Sequence, residues 1–208
     1  EGPTNAEADL GGLDARVDLG HGFEIKAEAA ATRSEQSGDE TTGRGLLAQV
    51  GRQSADLNAR VYFREQEEGF GVGQQSGSES GTRKIGADAD WRMSRQWSLT
   101  GELFRNTTLA TDAERDVGES RLVYSTSDYN LNAGFRLAED RFDNGDRLRS
   151  TQLLAGASRQ LLENRLALRL DHEQSLGGDN QNSDYPTKTI AGADYKISDP
   201  VTIFAEHE

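Results

Sequence analysis

Hydrophobic and polar residues alternate with a period of two along most of this chain. In the stretch 13–19 the apolar side chains fall at odd positions, and Asp14, Arg16 and Asp18 fall between them. Because successive side chains of a β-strand point to opposite faces, this pattern predicts a strand with one apolar face and one charged face. The residues 23–29 repeat the pattern after a Gly-His-Gly segment that is typical of a tight turn.

The same alternation recurs through the rest of the sequence. It is clear at 57–64, 84–91, 97–103, 129–137, 165–171 and 188–197, and weaker near 44–52, 119–126, 150–159 and 200–206. The stretch 150–170 is rich in good helix formers, but Leu166, Leu168 and Leu170 keep the period of two, so we expect two strands there. The pattern predicts about 12 strands of about 9–11 residues, the length that crosses a bilayer when tilted.

The predicted connections alternate between short turns and long polar loops. Short turns are expected near 20–22, 53–56, 93–96, 125–128, 161–164 and 198–200, and long loops near 34–42, 66–81, 107–116, 139–146 and 176–186. Consecutive strands joined in this way form antiparallel hairpins, which predicts an up-and-down sheet.

The apolar face of the predicted strands is rich in small residues. Several alanines fall on this face, because they occupy the alternate positions of their strands that carry the apolar side chains. They are Ala27, Ala29, Ala59, Ala89 and Ala133. A protein core built from alanine would pack thinly and bury little area, whereas a face that only contacts lipid needs no interlocking side chains. This composition favours a membrane-facing surface over a soluble sandwich.

Aromatic residues of the apolar parity lie close to the short turns. These are Phe23, Trp91, Trp97, Tyr124, Tyr129 and Tyr195. In a soluble domain aromatic rings favour mid-strand core positions, whereas in membrane barrels they collect at the level of the lipid headgroups. We therefore predict an aromatic belt at one end of the strands.

Through hairpins such as 13–29, 85–103 and 189–205, the chain resembles Gram-negative outer-membrane β-barrel proteins in architecture. The resemblance implies an all-β fold, an antiparallel up-and-down transmembrane β-barrel occupying residues 1–208 as a single domain. It also implies the outer membrane of a Gram-negative bacterium and a removed signal peptide. Such barrels commonly end in a strand with a terminal aromatic residue, but this chain stops at Phe204-Ala-Glu-His-Glu208. We therefore expect a segment of a larger barrel, truncated at one or both ends.

Composition narrows the classes of function. The formal net charge is −13, so the clustered cations that general nucleic-acid binding requires are not expected. No apolar run approaches the roughly 18–20 residues of a membrane-spanning helix. The sequence contains no cysteine, which excludes disulfides and thiolate metal sites.

The polar face carries many charges of both signs. The candidate lumen-lining residues are Arg16, Lys26, Arg60, Arg64, Asp88, Asp90, Glu102, Arg136 and Arg169. One interpretation is a water-filled, charge-lined lumen that passes polar small solutes. The alternative is an interior filled by salt bridges between neighbouring strands. The sequence leaves both open.

Catalytic, metal and cofactor sites are not predicted. Alternation sends Asp171 and His172 to opposite faces, and the sequence has no Gly-x-Ser-x-Gly elbow. The Asp- and Asn-rich segments 143–146 and 178–184 are interpreted as turns rather than calcium loops. The glycine-rich segment 69–73 has no following helix for a phosphate and is expected to be a flexible loop tip.

These observations favour a porin-like channel for polar solutes that is not an enzyme. The expected partners are the lipid bilayer or detergent and polar small solutes, without nucleic acid and with the oligomeric state open. One alternative is a barrel that anchors a larger surface protein in the membrane. A further alternative is a soluble all-β binding protein with its charged face outward.

Overall fold

The computed structural model describes residues 6–36, 39–71, 79–177 and 184–208. Within these residues the chain is all-β and forms one sheet of twelve antiparallel strands, in which every strand pairs with its neighbours in sequence. The strands are β1 (Ala6–Gly20), β2 (Phe23–Gln36), β3 (Asp39–Gln53), β4 (Leu57–Gln66), β5 (Thr82–Arg92), β6 (Trp97–Thr108), β7 (Glu114–Ser125), β8 (Tyr129–Arg141), β9 (Arg147–Leu161), β10 (Leu166–Ser175), β11 (Lys188–Ser198) and β12 (Val201–His207). The described part of the chain holds no helix long and apolar enough to cross a membrane.

The predicted number and order of strands are confirmed. The four weakly alternating segments are the strands β3, β7, β9 and β12. The ambiguous stretch 150–170 forms β9 and β10, which pair in register from Leu161 opposite Leu166 to Gln152 opposite Ser175. Helix propensity is outweighed here by pairing with strands on both sides.

The predicted loops are corrected at three connections. The strands run further than expected, so 37–38, 109–113 and 142–146 alone separate β2 from β3, β6 from β7, and β8 from β9. Opposite charges explain the extension, because Arg33 Nη2 contacts Glu40 Oε2 at 2.7 Å and Arg105 Nε contacts Asp116 Oδ1 at 2.7 Å across these hairpins. The long connections are 67–81 and 176–187, of which 72–78 and 178–183 lie outside the described residues.

The sheet is not closed into a barrel. The strand order runs from β1 to β12, and no ladder among the described residues joins these two strands to each other. Barrel closure requires the first and last strands to pair. The up-and-down meander is therefore as predicted, and the closed barrel is not observed.

The chain divides into two compact units. Unit 1 comprises Glu1–Asp88, Phe104–Asp116 and Arg141–Asp146. Unit 2 comprises Ala89–Leu103, Val117–Asp140 and Arg147–Glu208.

In unit 1 the polar face of the sheet is the more buried one. Along β2, Phe23 and Ile25 are exposed, whereas Glu24, Lys26 and Glu28 between and beside them are half-buried. The buried side chains of this unit, Thr32 and Tyr62, carry the polar parity. The apolar side chains are thus the ones left uncovered.

Unit 2 has the same inversion. Along β8, Leu131, Phe135 and Leu137 are exposed, and Asn132 and Arg136 are half-buried. The buried side chains of the unit all lie on the polar face. They are Ala138, Asp140, Ser150, Gln152 and Leu154. Alternation therefore separates the two faces as predicted, and along β8 the side chains of the polar face are the more buried ones.

Candidate functional site

The polar face of unit 1 is organised in rows by the strand register. Arg16 on β1 lies opposite Lys26 on β2, which lies opposite Gln49 on β3, and Gln49 lies opposite Tyr62 on β4. Because residues opposite one another in a ladder share a face, these four side chains belong to the same surface. The predicted lining residues Arg16 and Lys26 are thus neighbours.

These two cations are each paired with a carboxylate of β2. Arg16 Nη2 lies 2.5 Å from Glu24 Oε2, and Lys26 Nζ lies 2.5 Å from Glu28 Oε1. Both pairs are solvent-accessible, so each stabilises the fold by no more than about 1 kcal/mol. Their effect is to neutralise charge at this part of the face.

Tyr62 is the centre of the polar face of unit 1. Its side chain is 4% exposed, and cations approach its ring from Arg60, Arg64 and Lys84 at 5.3, 5.1 and 5.9 Å from the centroid. Cations within about 6 Å of an aromatic ring are attracted by its quadrupole. Arg60 also binds Asp88 on β5, with Nη2 2.6 Å from Oδ1.

Three predicted lining residues, Arg60, Arg64 and Asp88, are therefore brought together around Tyr62. Lys84 joins this cluster, with its ammonium 4.0 Å from the centroid of Phe104 on β6. Tyr62 is not among the lining residues predicted from the sequence, which are all charged.

The loop after β4 folds onto this face. Thr32 Oγ1 donates a hydrogen bond to the carbonyl of Gly69 and accepts one from the amide of Gly71, both at 3.2 Å. A Cβ built on Gly43 would lie 2.1 Å from the Phe70 nitrogen, so the close approach of loop and strand requires a glycine. The prediction of a flexible loop tip is therefore wrong for residues 69–71, while 72–73 lie outside the described residues.

A cavity of about 240 Å³ lies beside this anchored loop. Its lining includes Glu28, Leu47, Arg64, Phe70, Glu79 and Lys84. Arg64 Nη1 lies 3.4 Å from Glu79 Oε1, and the Arg64 Nε atom is buried without a hydrogen-bond partner in the described structure. The cavity thus combines charged groups with an apolar wall.

In unit 2 the polar face is built around Arg136. Its Nε donates to Glu119 Oε2 at 2.6 Å, and its Nη1 donates to Gln152 Oε1 at 2.7 Å and to Glu173 Oε2 at 3.2 Å. The four side chains come from β7, β8, β9 and β10. Gln152 is fully buried and donates to the carbonyl of Pro186 at 2.9 Å, which fixes the end of the last long loop.

Further partners extend this Arg136 network along the face. Arg121 Nε lies 2.7 Å from Glu119 Oε1, and Lys188 Nζ lies 3.9 Å from Glu173 Oε2. Of the residues in this network, only Arg136 is among the lining residues predicted from the sequence. Alternation is weak in β7 and β9, so their contributions to the face had no clear local signal.

The other predicted lining residues of unit 2 lie nearer to solvent. Asp90 on β5 and Glu102 on β6 are exposed and carry the polar parity. Arg169 on β10 forms an ion pair with Glu206 on β12. None of these three belongs to the Arg136 network.

The aromatic residues lie next to hairpin turns as expected. Three of them form a cluster on β6, β7 and β8, with ring centroids 4.8 Å apart for Trp97 and Tyr124 and 6.0 Å apart for Tyr124 and Tyr129. Tyr124 is half-buried because it lies between the other two rings. The other aromatic residues, Phe23, Trp91 and Tyr195, are exposed on the apolar face.

Among the described residues, neither the histidines nor the acidic segments come together in a group with the chemistry of a reactive centre. His172 Nδ1 lies 2.8 Å from Thr189 Oγ1, directly across the ladder, on the face opposite to Asp171. In the described ranges no group of three His, Cys, Asp or Glu residues has the spacing of a metal site. The 143–146 segment is a turn in which Asn144 Nδ2 donates to Asp146 Oδ2 at 2.7 Å, and 178–183 lie outside the described residues.

The candidate site is therefore the polar face, with the Tyr62 cluster and its cavity in unit 1 and the Arg136 network in unit 2. This arrangement can bind and orient charged solutes, because its groups are charged and partly hydrated. In comparisons with known proteins, no protein-family model matches the chain and no curated protein matches it.

Proposed function

We propose that this chain forms the wall of an outer-membrane β-barrel that works as a porin-like channel for polar solutes. The observation that carries the proposal is the inverted burial of the sheet. On β8, Leu131 and Leu137 are 46% and 50% exposed, whereas the Arg136 side chain is 17% exposed. A sheet in water covers its apolar face, and a sheet in lipid exposes it.

The dimensions of the strands support the same proposal. Eleven of the twelve strands have ten or more residues, and a tilted strand needs about 9–11 to cross the hydrocarbon core. The rings of Trp97, Tyr124 and Tyr129 lie beside the turns, which is where amphipathic side chains meet lipid headgroups. The apolar face between these turns offers alanine, leucine and valine to the lipid.

Membrane insertion places one further requirement on the sheet. Unpaired backbone groups are too costly in the hydrocarbon core for an open edge to be exposed to lipid. We therefore propose that β1 and β12 acquire strand partners in the membrane. The polar face then becomes the lining of the enclosed space.

A hydrated lining is favoured over a plugged interior by the cavity of unit 1. Most charges on the face are paired with a neighbour along the sheet, as in the Arg60–Asp88 pair. They nevertheless leave about 240 Å³ of open volume beside Arg64 and Lys84. An interior filled completely by mutual salt bridges would leave no such space.

Two measurements on the full chain test the proposal in order. Gel mobility of the detergent-extracted protein, with and without boiling, should shift with heat because a membrane barrel resists detergent at room temperature. Planar-bilayer recordings should then show stable ohmic conductance steps, against a heat-denatured sample as control. A heat shift without conductance would favour the membrane anchor. Solubility in plain buffer without a heat shift would favour the soluble binding protein.

A further inference from the structure

We propose that the cavity beside Tyr62 in unit 1 is a binding site for a small organic anion with one carboxylate and an apolar body. The inference deepens the proposed function and rests on it for the route by which the solute arrives. It is carried by the balance of charges in the cavity, by its apolar wall and by its size.

The carboxylates around the cavity already have cationic partners. Glu28 binds Lys26 at 2.5 Å, Glu65 binds Arg83 at 2.5 Å, and Glu79 binds Arg64. None of them is left to attract a cation. A cationic solute would have to compete with an existing ion pair at each position.

The cations retain unused donors. The Lys84 ammonium rests over the ring of Phe104 and forms no ion pair with any carboxylate of the described residues. Arg64 Nε is buried and has no acceptor there. Residues 72–78, which lie outside the described ranges, contain no acidic residue that could neutralise either group. Because the Arg64 charge is shared with Glu79, Lys84 is the cation lining this cavity that has no carboxylate partner among the described residues, and its charge matches a carboxylate.

One wall of the cavity is apolar. Phe70 lies against Gly45, where a Cβ would lie 2.9 Å from the ring Cζ, and Leu47 and Ala30 continue this wall. The loop hydrogen bonds to Thr32 hold Phe70 in place. An apolar solute body packed on this wall would displace water from it. At about 240 Å³ the cavity is below the usual size of a drug pocket, so a compact solute fits best.

Equilibrium binding of benzoate to the detergent-folded full chain tests the site, with benzyl alcohol and benzylammonium as neutral and cationic analogues. We expect benzoate to bind at least about tenfold more tightly than either analogue, because only the carboxylate pairs with the Lys84 ammonium. Lys84→Gln should weaken benzoate binding about tenfold or more. Lys196→Gln on β11 removes the same charge at an exposed position that belongs neither to the cavity nor to the Arg136 network, and it should leave binding unchanged.

Equal binding of the three probes, or equal effects of Lys84→Gln and Lys196→Gln, would overturn the anion site. If Lys84→Gln fails to fold, the comparison of the three probes on the unaltered chain decides. The proposed site and the proposed channel can be rejected independently, because binding is measured in detergent and conductance in a bilayer. Benzoate binding without conductance would retain the site and reject the channel, and conductance without benzoate selectivity would do the reverse.

Discussion

At the scale of single residues, Arg136 shows how a charge is held on the covered face. Its guanidinium lies within hydrogen-bond distance of two carboxylates and of the fully buried Gln152 amide. A planar fork of donors suits several acceptors at once, which a single ammonium would not. The position of Arg136 on this face follows from alternation, but its partners come from three other strands. Sequence reasoning could therefore predict the face and could not predict the network.

We predict that Arg136→Ala lowers the free energy of unfolding by roughly 1–3 kcal/mol, because it leaves the buried Gln152 side-chain oxygen without its donor and removes a cationic partner from Glu119 and Glu173. Urea unfolding of the detergent-folded protein measures the change. Arg95→Ala is the matched control, since Arg95 is an exposed residue in the turn before β6. Equal stability of the two variants would show that the network does not stabilise the fold.

The parity of neighbouring residues gives a second prediction, on β3. Ala48 is exposed on the apolar face, and the adjacent Gln49 is half-buried opposite Lys26. Ala48→Glu should reduce assembly into lipid vesicles, because it places a charge on the lipid-facing side. The free-energy cost should be smaller than the roughly 2–4 kcal/mol of an Arg at the bilayer midplane. Gln49→Glu places the same group beside a cation and should assemble normally. The heat-shifted gel fraction after refolding into vesicles compares them, and equal assembly would reject the face assignment.

At the scale of elements, hairpins are predictable where local signals agree. Period-two alternation and turn residues together predict β1, β2 and the turn between them. The ends of β2 and β3 are not predictable, because their polar residues resemble a loop until pairing of the strands brings Arg33 diagonally across from Glu40. The anchoring of the 67–71 loop is also hidden in the sequence, since it depends on contacts between Thr32 and residues far along the chain.

The first turn carries a prediction of its own. Gly22 has φ +80°, and a Cβ there would lie 1.9 Å from the Gln53 carbonyl oxygen. The Gln53 backbone amide donates a hydrogen bond to the Gly22 carbonyl at 2.7 Å. Gly22→Ala should therefore destabilise the protein by about 1–3 kcal/mol through backbone strain and displacement of the next hairpin. Gly11→Ala has open space around its Cβ and should be neutral in the same urea unfolding experiment.

At the scale of the whole molecule, the sheet has two edges and one apolar face without cover. In water the edges can hydrogen-bond to solvent but the apolar face is exposed at a cost. In lipid the apolar face is favourably placed but the unpaired backbone groups of the edges are costly. The strand order and the alternation are predictable because both follow from neighbouring residues and short connections in the sequence. Closure is not, because it depends on pairing between the first and last strands, and neither strand carries a local signal for its partner. The membrane resolves the conflict only if the edges become paired there.

This conflict predicts a change in hydrogen exchange at β1 and β12. In detergent, their backbone amides that face away from β2 and β11 should exchange rapidly, as in an open sheet. In lipid vesicles the same amides should be slowed, by roughly a hundredfold or more, because pairing must break before exchange. Exchange followed by mass spectrometry compares the two states, with the exposed 162–164 turn as a control that stays fast in both. Rapid exchange at both edges in lipid would mean that the wall remains open, and the channel proposal would then fail even if the protein binds membranes.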